Sequence, residues 1–169
     1  GRYSRAGDTL AAESTKPAGR LVLWASQTGT AEEYAAQLAA RLGAALANMN
    51  DVALAELSAA RDVLVVTSTF GDGGPPDNGA DFWSRLDGPD APQLHGMRYA
   101  VLGIGDRAYD NFCGHAKALD RRFADLGATK LLDRTDCEAY DDEPLRQWAD
   151  TGAGLLTGES PAPARSGGA

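Results

Sequence analysis

Positive charge is scarce in this chain: 16 basic residues stand against 24 acidic ones over 169 residues, and no Lys or Arg lies between Arg20 and Arg41. The net charge of −8 leaves no basic footprint for nucleic acid and favours partners that present a basic face. Cysteine is nearly absent. Cys113 and Cys137 form no CxxC or paired metal spacing, which excludes a disulfide framework and points to a reducing, cytoplasmic compartment. Cys113-Gly114-His115 offers two ligand types with no further Cys or His nearby, too few for a metal centre. No apolar run approaches the roughly 18 residues needed to span a bilayer, and the first residues do not read as a signal peptide. The sequence also lacks an initiator Met, as expected of a segment of a longer protein.

What is present is a chain of one-domain length with 43% hydrophobic residues, enough to bury a core. Residues 1–19 have no sustained period, and 158–169 read Gly-Glu-Ser-Pro-Ala-Pro-Ala-Arg-Ser-Gly-Gly-Ala, the composition of a flexible linker. The folded domain is therefore expected over 20–157. Within it, apolar strands at 21–25, 44–48, 62–67, 98–104 and 129–133 alternate with helical patterns at 31–42, 78–86, 114–126 and 142–156. That rhythm, with strands apolar throughout, predicts an α/β fold with a parallel sheet covered by helices on both faces. Ligands of such sheets sit outside the carboxyl ends of the strands.

Three strand-to-helix loops carry the chemistry. Ser26-Gln27-Thr28-Gly29-Thr30 follows the first strand and opens a helix. Three hydroxyls, the first-turn N–H groups and the positive end of the helix dipole suit a phosphate held by neutral donors. The Gly-Lys-Ser/Thr ending of a P-loop is missing. The second loop, Thr67 to Asn78, joins glycines that permit close approach of a planar ligand to Phe70, which can lie against a ring face. The third, Gly103 to Cys113, contains a G-x-G-x-x-A match at 103–108, but it lies outside the first strand-helix turn and no apolar helix follows it, so a nicotinamide site is disfavoured. Tyr109 in that loop can close the other face of the ring. The three loops together call for a planar, aromatic, phosphorylated ligand.

These motifs, Ser-Gln-Thr-Gly-Thr-Ala-Glu, Ser-Thr-Phe-Gly-Asp-Gly-Gly-Pro-Pro-Asp-Asn and Leu-Gly-Ile-Gly-Asp-Arg-Ala-Tyr-Asp-Asn-Phe-Cys, resemble the FMN loops of flavodoxin-like domains. The likeness is strongest to diflavin reductases of the sulfite reductase flavoprotein type, through Tyr109-x-x-Phe112-Cys113, Leu126-Gly127, Leu131-Leu132-Asp133-Arg134 and Asp136. The resemblance implies a three-layer sandwich with five parallel strands in the order 2-1-3-4-5. It implies FMN as cofactor, bound by Ser26, Gln27, Thr28, Gly29, Thr30, Ser68, Thr69, Phe70, Gly71, Gly73, Leu102, Gly103, Asp106, Tyr109, Phe112, Cys113 and Asp136. The first five would hold the phosphate, and Phe70 and Tyr109 would flank the ring. Gly71 matches the glycine whose carbonyl turns to accept a hydrogen bond from the half-reduced ring, a motion cheap for glycine. Asp106 and Asp136, the latter following the fifth strand, match acidic positions that disfavour an anionic reduced ring.

The implied partners are an FAD/NADP-binding reductase domain, expected C-terminal in the same polypeptide, and a metal- or haem-containing electron acceptor. Asp72, Asp77, Asp110, Asp141, Asp142 and Glu143 would steer a basic partner. Two alternatives stand beside this reading: a stand-alone flavodoxin carrier, and a non-redox receiver or binding domain. A receiver needs an acidic pocket, whereas Ser26, Gln27, Ser68 and Thr69 follow the relevant strands. Trp24, Trp83 and Trp148 are read as core packing.

Overall fold

Apolar runs without polar alternation demand cover on both sides, and the chain supplies it. A computed structural model describes residues 19–26, 29–70 and 73–158. Most of both expected linkers, together with Gln27, Thr28, Gly71 and Asp72, lies outside these residues. The elements run β1 Arg20–Ala25, α1 Thr30–Leu42, β2 Ala45–Asn48, a 3₁₀ turn Met49–Asp51, α2 Leu54–Ala59, β3 Asp62–Ser68, α3 Asp77–Leu86, β4 Arg98–Gly105, α4 Gly114–Asp125, β5 Thr129–Lys130, β6 Thr135–Glu138 and α5 Asp142–Thr157. All strand pairs are parallel, in the order β2-β1-β3-β4-β5, with β6 also beside β4. The order expected from the sequence is thus found.

Successive strand residues feed opposite layers, as the period of two requires. Val63, Val65, Tyr99 and Val101 join Phe82, Leu86, Leu119 and Phe123 on the α3/α4 side. Leu64, Val66, Ala100 and Leu102 join Ala35, Leu38, Leu145 and Trp148 on the α1/α5 side. Trp148 is buried, and Trp24 and Trp83 are partly buried against these cores, as their core reading requires.

The fifth strand departs from expectation. The sequence predicts a single strand at 129–133, whereas β5 ends at Lys130 and pairing with β4 resumes only at Thr135, opposite Leu102. Residues 131–134 therefore bulge against only Ala100 and Val101. Leu131 and Leu132 pack on the α1/α5 core. Arg134, within this bulge, donates to Asp120 on α4 at 3.0 Å and to Asp136 at 2.9 Å. Asp136 follows β5 and sits within β6, opposite Gly103. The helix Leu54–Ala59 was also missed: at six residues it is too short to show a period.

Arg20 ties the base of the sheet to both helices of one layer. Its guanidinium donates to the Leu42 carbonyl at 3.1 Å and to the Leu156 carbonyl at 2.6 Å, a cation serving the negative ends of α1 and α5 together. Arg20→Met, which keeps the stem but loses both charged hydrogen bonds, is expected to cost about 2 kcal/mol, read as a lower urea midpoint with an unchanged slope.

Candidate functional site

Strand register brings the three loops level. Ala25 pairs with Thr67, Thr67 with Gly103, and Gly103 with Asp136, so β1, β3, β4 and β6 all end along one edge. From β1 the chain turns outward to β2, while β3 lies on the other side of β1. The crevice at this reversal of winding is where doubly wound sheets take their ligands.

Ser26 is the hub of the first loop. Its N–H donates to the Asn78 side-chain carbonyl at 3.0 Å, its Oγ accepts the Gly29 N–H at 3.1 Å, and the Ser68 hydroxyl lies 3.4 Å from that Oγ. The first two loops are thereby joined. Gly29 precedes α1 with φ of 89°, and a Cβ built there meets nothing within 4 Å among the described residues. The Glu33 N–H bonds back to the Gly29 carbonyl at 3.0 Å, and the first-turn N–H groups of a helix have no acceptor within the helix itself. Thr30 stands at the same turn. Hydroxyls and helix amides with no cation suit a dianionic group.

Phe70 and Gly74 exchange main-chain hydrogen bonds at 2.7 and 2.9 Å, closing a tight turn that leaves the Phe70 side chain 57% exposed. Tyr109, at the tip of the third loop, is 45% exposed. These are two of only five large apolar side chains among the described residues with such exposure, and both rise from the ligand edge of the sheet. Asp106 shapes the third loop: its Oδ1 accepts the Ala108 N–H at 2.8 Å and its carbonyl accepts the Tyr109 N–H at 3.1 Å. The second and third loops also interlock. Asn111 lies across Gly73 (φ 124°) and Gly114, so a side chain on either glycine would collide with its amide, and a Cβ on Gly114 would stand 2.8 Å from the Gly73 Cα.

Other predicted residues lie deeper. Thr69 accepts the His115 N–H on its Oγ1 at 3.2 Å, anchoring the second loop to the start of α4. Leu102 and Cys113 are buried in opposite core layers, so they reach the crevice only through main chain. Cys113 is the sole described non-glycine with positive φ, 54°, and burial pushes its thiol up to about 12. Cys137, also buried and free, rises to about 11 by burial. Both are inert at neutral pH, and no group of three metal-ligating side chains occurs among the described residues. Phe112 is half-buried. Asp136 is turned toward the α4 side, its Oδ1 3.1 Å from where a Gly103 Cβ would stand and paired to Arg134. Gln27, Thr28 and Gly71 lie outside the described residues. Asn78 and Asn111, which hold the loops to one another, were not among the predicted site residues. Only their place in the loops signalled them.

His115, fully buried beneath the second loop, packs edge-on against Trp83 with ring centroids 5.6 Å apart, and its Nε2 has no hydrogen-bond partner among the described residues. Burial lowers its pKa to about 4. The unfolded chain takes up a proton at His115 near pH 6.5, the folded chain only near 4, so stability is retained above 6.5 and lost as pH falls through that window. Acidification from pH 7 to 4 is expected to cost about 2 to 3 kcal/mol through this residue. Comparing melting temperatures of wild type and His115→Phe across that range isolates the contribution, since the variant should show a shallower pH slope.

A hydroxyl-bearing helix start and two exposed aromatics on loops of one sheet edge, at the winding reversal of a parallel sheet, are the features of a class: a doubly wound domain for a phosphorylated planar cofactor. The sequence pattern of the flavodoxin family matches residues 22–148, and the chain belongs to that family; its cofactor is FMN. Among curated proteins it is similar to the sulfite reductase [NADPH] flavoprotein alpha-component of Mannheimia succiniciproducens, at 45% identity over 79% of this chain and 23% of that one. The alpha-component of Neisseria meningitidis serogroup B is 39% identical over 87% of this chain and 25% of its own length. The chain thus spans about a quarter of these relatives. Among solved structures, the flavodoxin of Streptococcus pneumoniae TIGR4 superposes with a TM-score of 0.70 at 30% identity, covering 83% of this chain and 99% of the other. No described helix is long and apolar enough to cross a membrane.

Proposed function

We propose that this FMN domain is an electron-transfer module that accepts electrons from an FAD/NADPH reductase domain of the same polypeptide and passes them singly to a metal- or haem-containing acceptor in the cytoplasm. The similarity to sulfite reductase flavoproteins over most of the chain supports the assignment. The observation that carries it is the pair of exposed aromatics, Phe70 and Tyr109, standing on interlocked loops beside the Ser26 cradle.

In this reading Ser26, Gln27, Thr28, Gly29 and Thr30 hold the phosphate through hydroxyls and α1 amides, without a counter-cation. FMN, once bound, supplies a ring that takes up and releases one or two electrons. Phe70 and Tyr109 sandwich that ring and exclude water from its faces, while Gly71 offers a carbonyl that can turn toward a ring proton at little cost. Ser68, Thr69 and Gly73 fix the second loop; Leu102, Gly103, Phe112 and Cys113 present main chain from the third. Asp106 and Asp136 are the acidic positions that disfavour an anionic reduced ring and make the domain a stronger donor, the field of Asp136 being reduced by its pairing to Arg134.

Around this edge Asp77, Asp110, Asp141, Asp142 and Glu143 are exposed. Transfer rates to a basic acceptor should fall by about tenfold or more as salt rises from low to high ionic strength. A stopped-flow rate that ignores salt would count against the steering role. For the function itself, the chain is incubated with FMN, desalted and reduced stepwise without air. Retained flavin that accepts its two electrons in separate steps supports the proposal, and a colourless protein overturns it. A stand-alone carrier is the second reading, favoured by coverage of 99% of a solved flavodoxin chain; the full reading frame decides between the two.

A further inference from the structure

The loop that carries Tyr109 has residues 106–111 all exposed, so no core packing fixes its tip. One acidic side chain on the neighbouring strand holds it. Glu138 closes β6 opposite Gly105, the last residue of β4, and its side chain is only 18% exposed. Its Oε2 accepts the Arg107 main-chain N–H at 3.3 Å, its Oε1 lies 3.5 Å from Arg107 Nε, and the Tyr140 hydroxyl donates to that same Oε1 at 2.7 Å. The Arg107 guanidinium in turn lies over the Phe112 ring, 4.4 Å from its centroid. Arg107 and Phe112 are the two shoulders of the loop, and Tyr109 stands between them.

We propose that Glu138 is a positioning residue for the cofactor: through Arg107 and Phe112 it closes the shoulders of the third loop and so holds Tyr109 facing Phe70. The inference rests on the FMN reading of the crevice. An ion pair with Arg107, whose side chain is 62% exposed, is weak alone. The clamp also includes a carboxylate on a main-chain N–H and a cation over an aromatic face, and these fix backbone as well as side chain. Without them the tip must be ordered when the ring binds, and that entropy is charged against affinity.

The test titrates apoprotein with FMN, following quenching of flavin fluorescence, for wild type, E138A, E138Q, R107A, Y109A and the E138A/Y109A double variant. E138A and R107A are each expected to raise Kd about tenfold, with E138Q recovering part of the loss because its amide oxygen still accepts the Arg107 N–H. In the Y109A background E138A should change little, since the clamp then has nothing to position. Hydrogen exchange on the apoprotein supplies a readout independent of flavin: amides 106–112 should exchange faster in E138A while β4 stays protected. E138A binding FMN within about twofold of wild type, losses that simply add to those of Y109A, or unchanged exchange in the loop would each overturn the proposal. A wild type that binds no FMN would instead overturn the reading of the crevice, and exchange alone would then decide the clamp.

Discussion

Replacing Phe70 and Tyr109 together by alanine is expected to weaken FMN binding by about two to three orders of magnitude while leaving the melting temperature of the apoprotein nearly unchanged. Both rings are substantially exposed, at 57% and 45%, so truncating them removes little from either core. Each ring covering one face of a planar ligand contributes about 2 kcal/mol from buried area and stacking combined, and about 1.4 kcal/mol is tenfold in Kd. Phe70→Tyr should bind nearly as well as wild type, because stacking depends on the ring and not on the hydroxyl. Equilibrium titration of apoprotein checks all three variants. A double variant binding within tenfold of wild type would remove the aromatic pair from the site and leave the phosphate cradle as the main source of affinity.

The largest effect on stability is expected at Gly103. A Cβ at this position in β4 would stand 2.6 Å from the Ala116 Cβ, 3.1 Å from Asp136 Oδ1 and 3.2 Å from the Cys113 Cβ. The first and last of these atoms are fixed to the backbone of α4 and its cap, so no side-chain rotation relieves the clash and the helix must lift from the sheet. Gly103→Val should cost about 4 kcal/mol and lower the melting temperature by roughly 10 °C. Gly152 in α5 provides the contrast. A Cβ there meets only Leu132 at 3.8 Å and Leu64 at 4.0 Å, ordinary contact distances, so Gly152→Ala should stabilise by up to about 1 kcal/mol through helix propensity. Calorimetry on both variants separates close approach from general sensitivity of glycines.

The covered parallel sheet and its ligand edge were legible because they rest on local patterns: β3 reads as apolar over Val63 to Val66, and a strand of that kind must lie within a covered sheet; the strand order came only with the resemblance of the loops to a known family. The hydroxyl loop, the Gly/Pro loop and the two aromatics were legible for the same reason, each being a contiguous signal. Contacts between distant segments were not. At the break between β5 and β6, Arg134 reaches Asp120 on α4, a partner that no window around residue 134 contains. Asn78 holding the Ser26 N–H and Glu138 holding the Arg107 N–H join residues 52 and 31 positions apart, and each resembles an ordinary loop or strand-end polar residue when read in sequence. Leu102 and Cys113 entered the predicted site through their motif, although their side chains belong to the core.

Asn111 wedged against Gly73 and Gly114 gives the crevice the mechanics of a jaw with a welded hinge. On the FMN reading of the crevice, the loop bearing Phe70 and the loop bearing Tyr109 meet at this contact, so a displacement of one is passed to the other. Damage at Gly73 will therefore register at the loop that carries Tyr109. Two glycines that need never touch the ring thus set how the loops on either side of it move together.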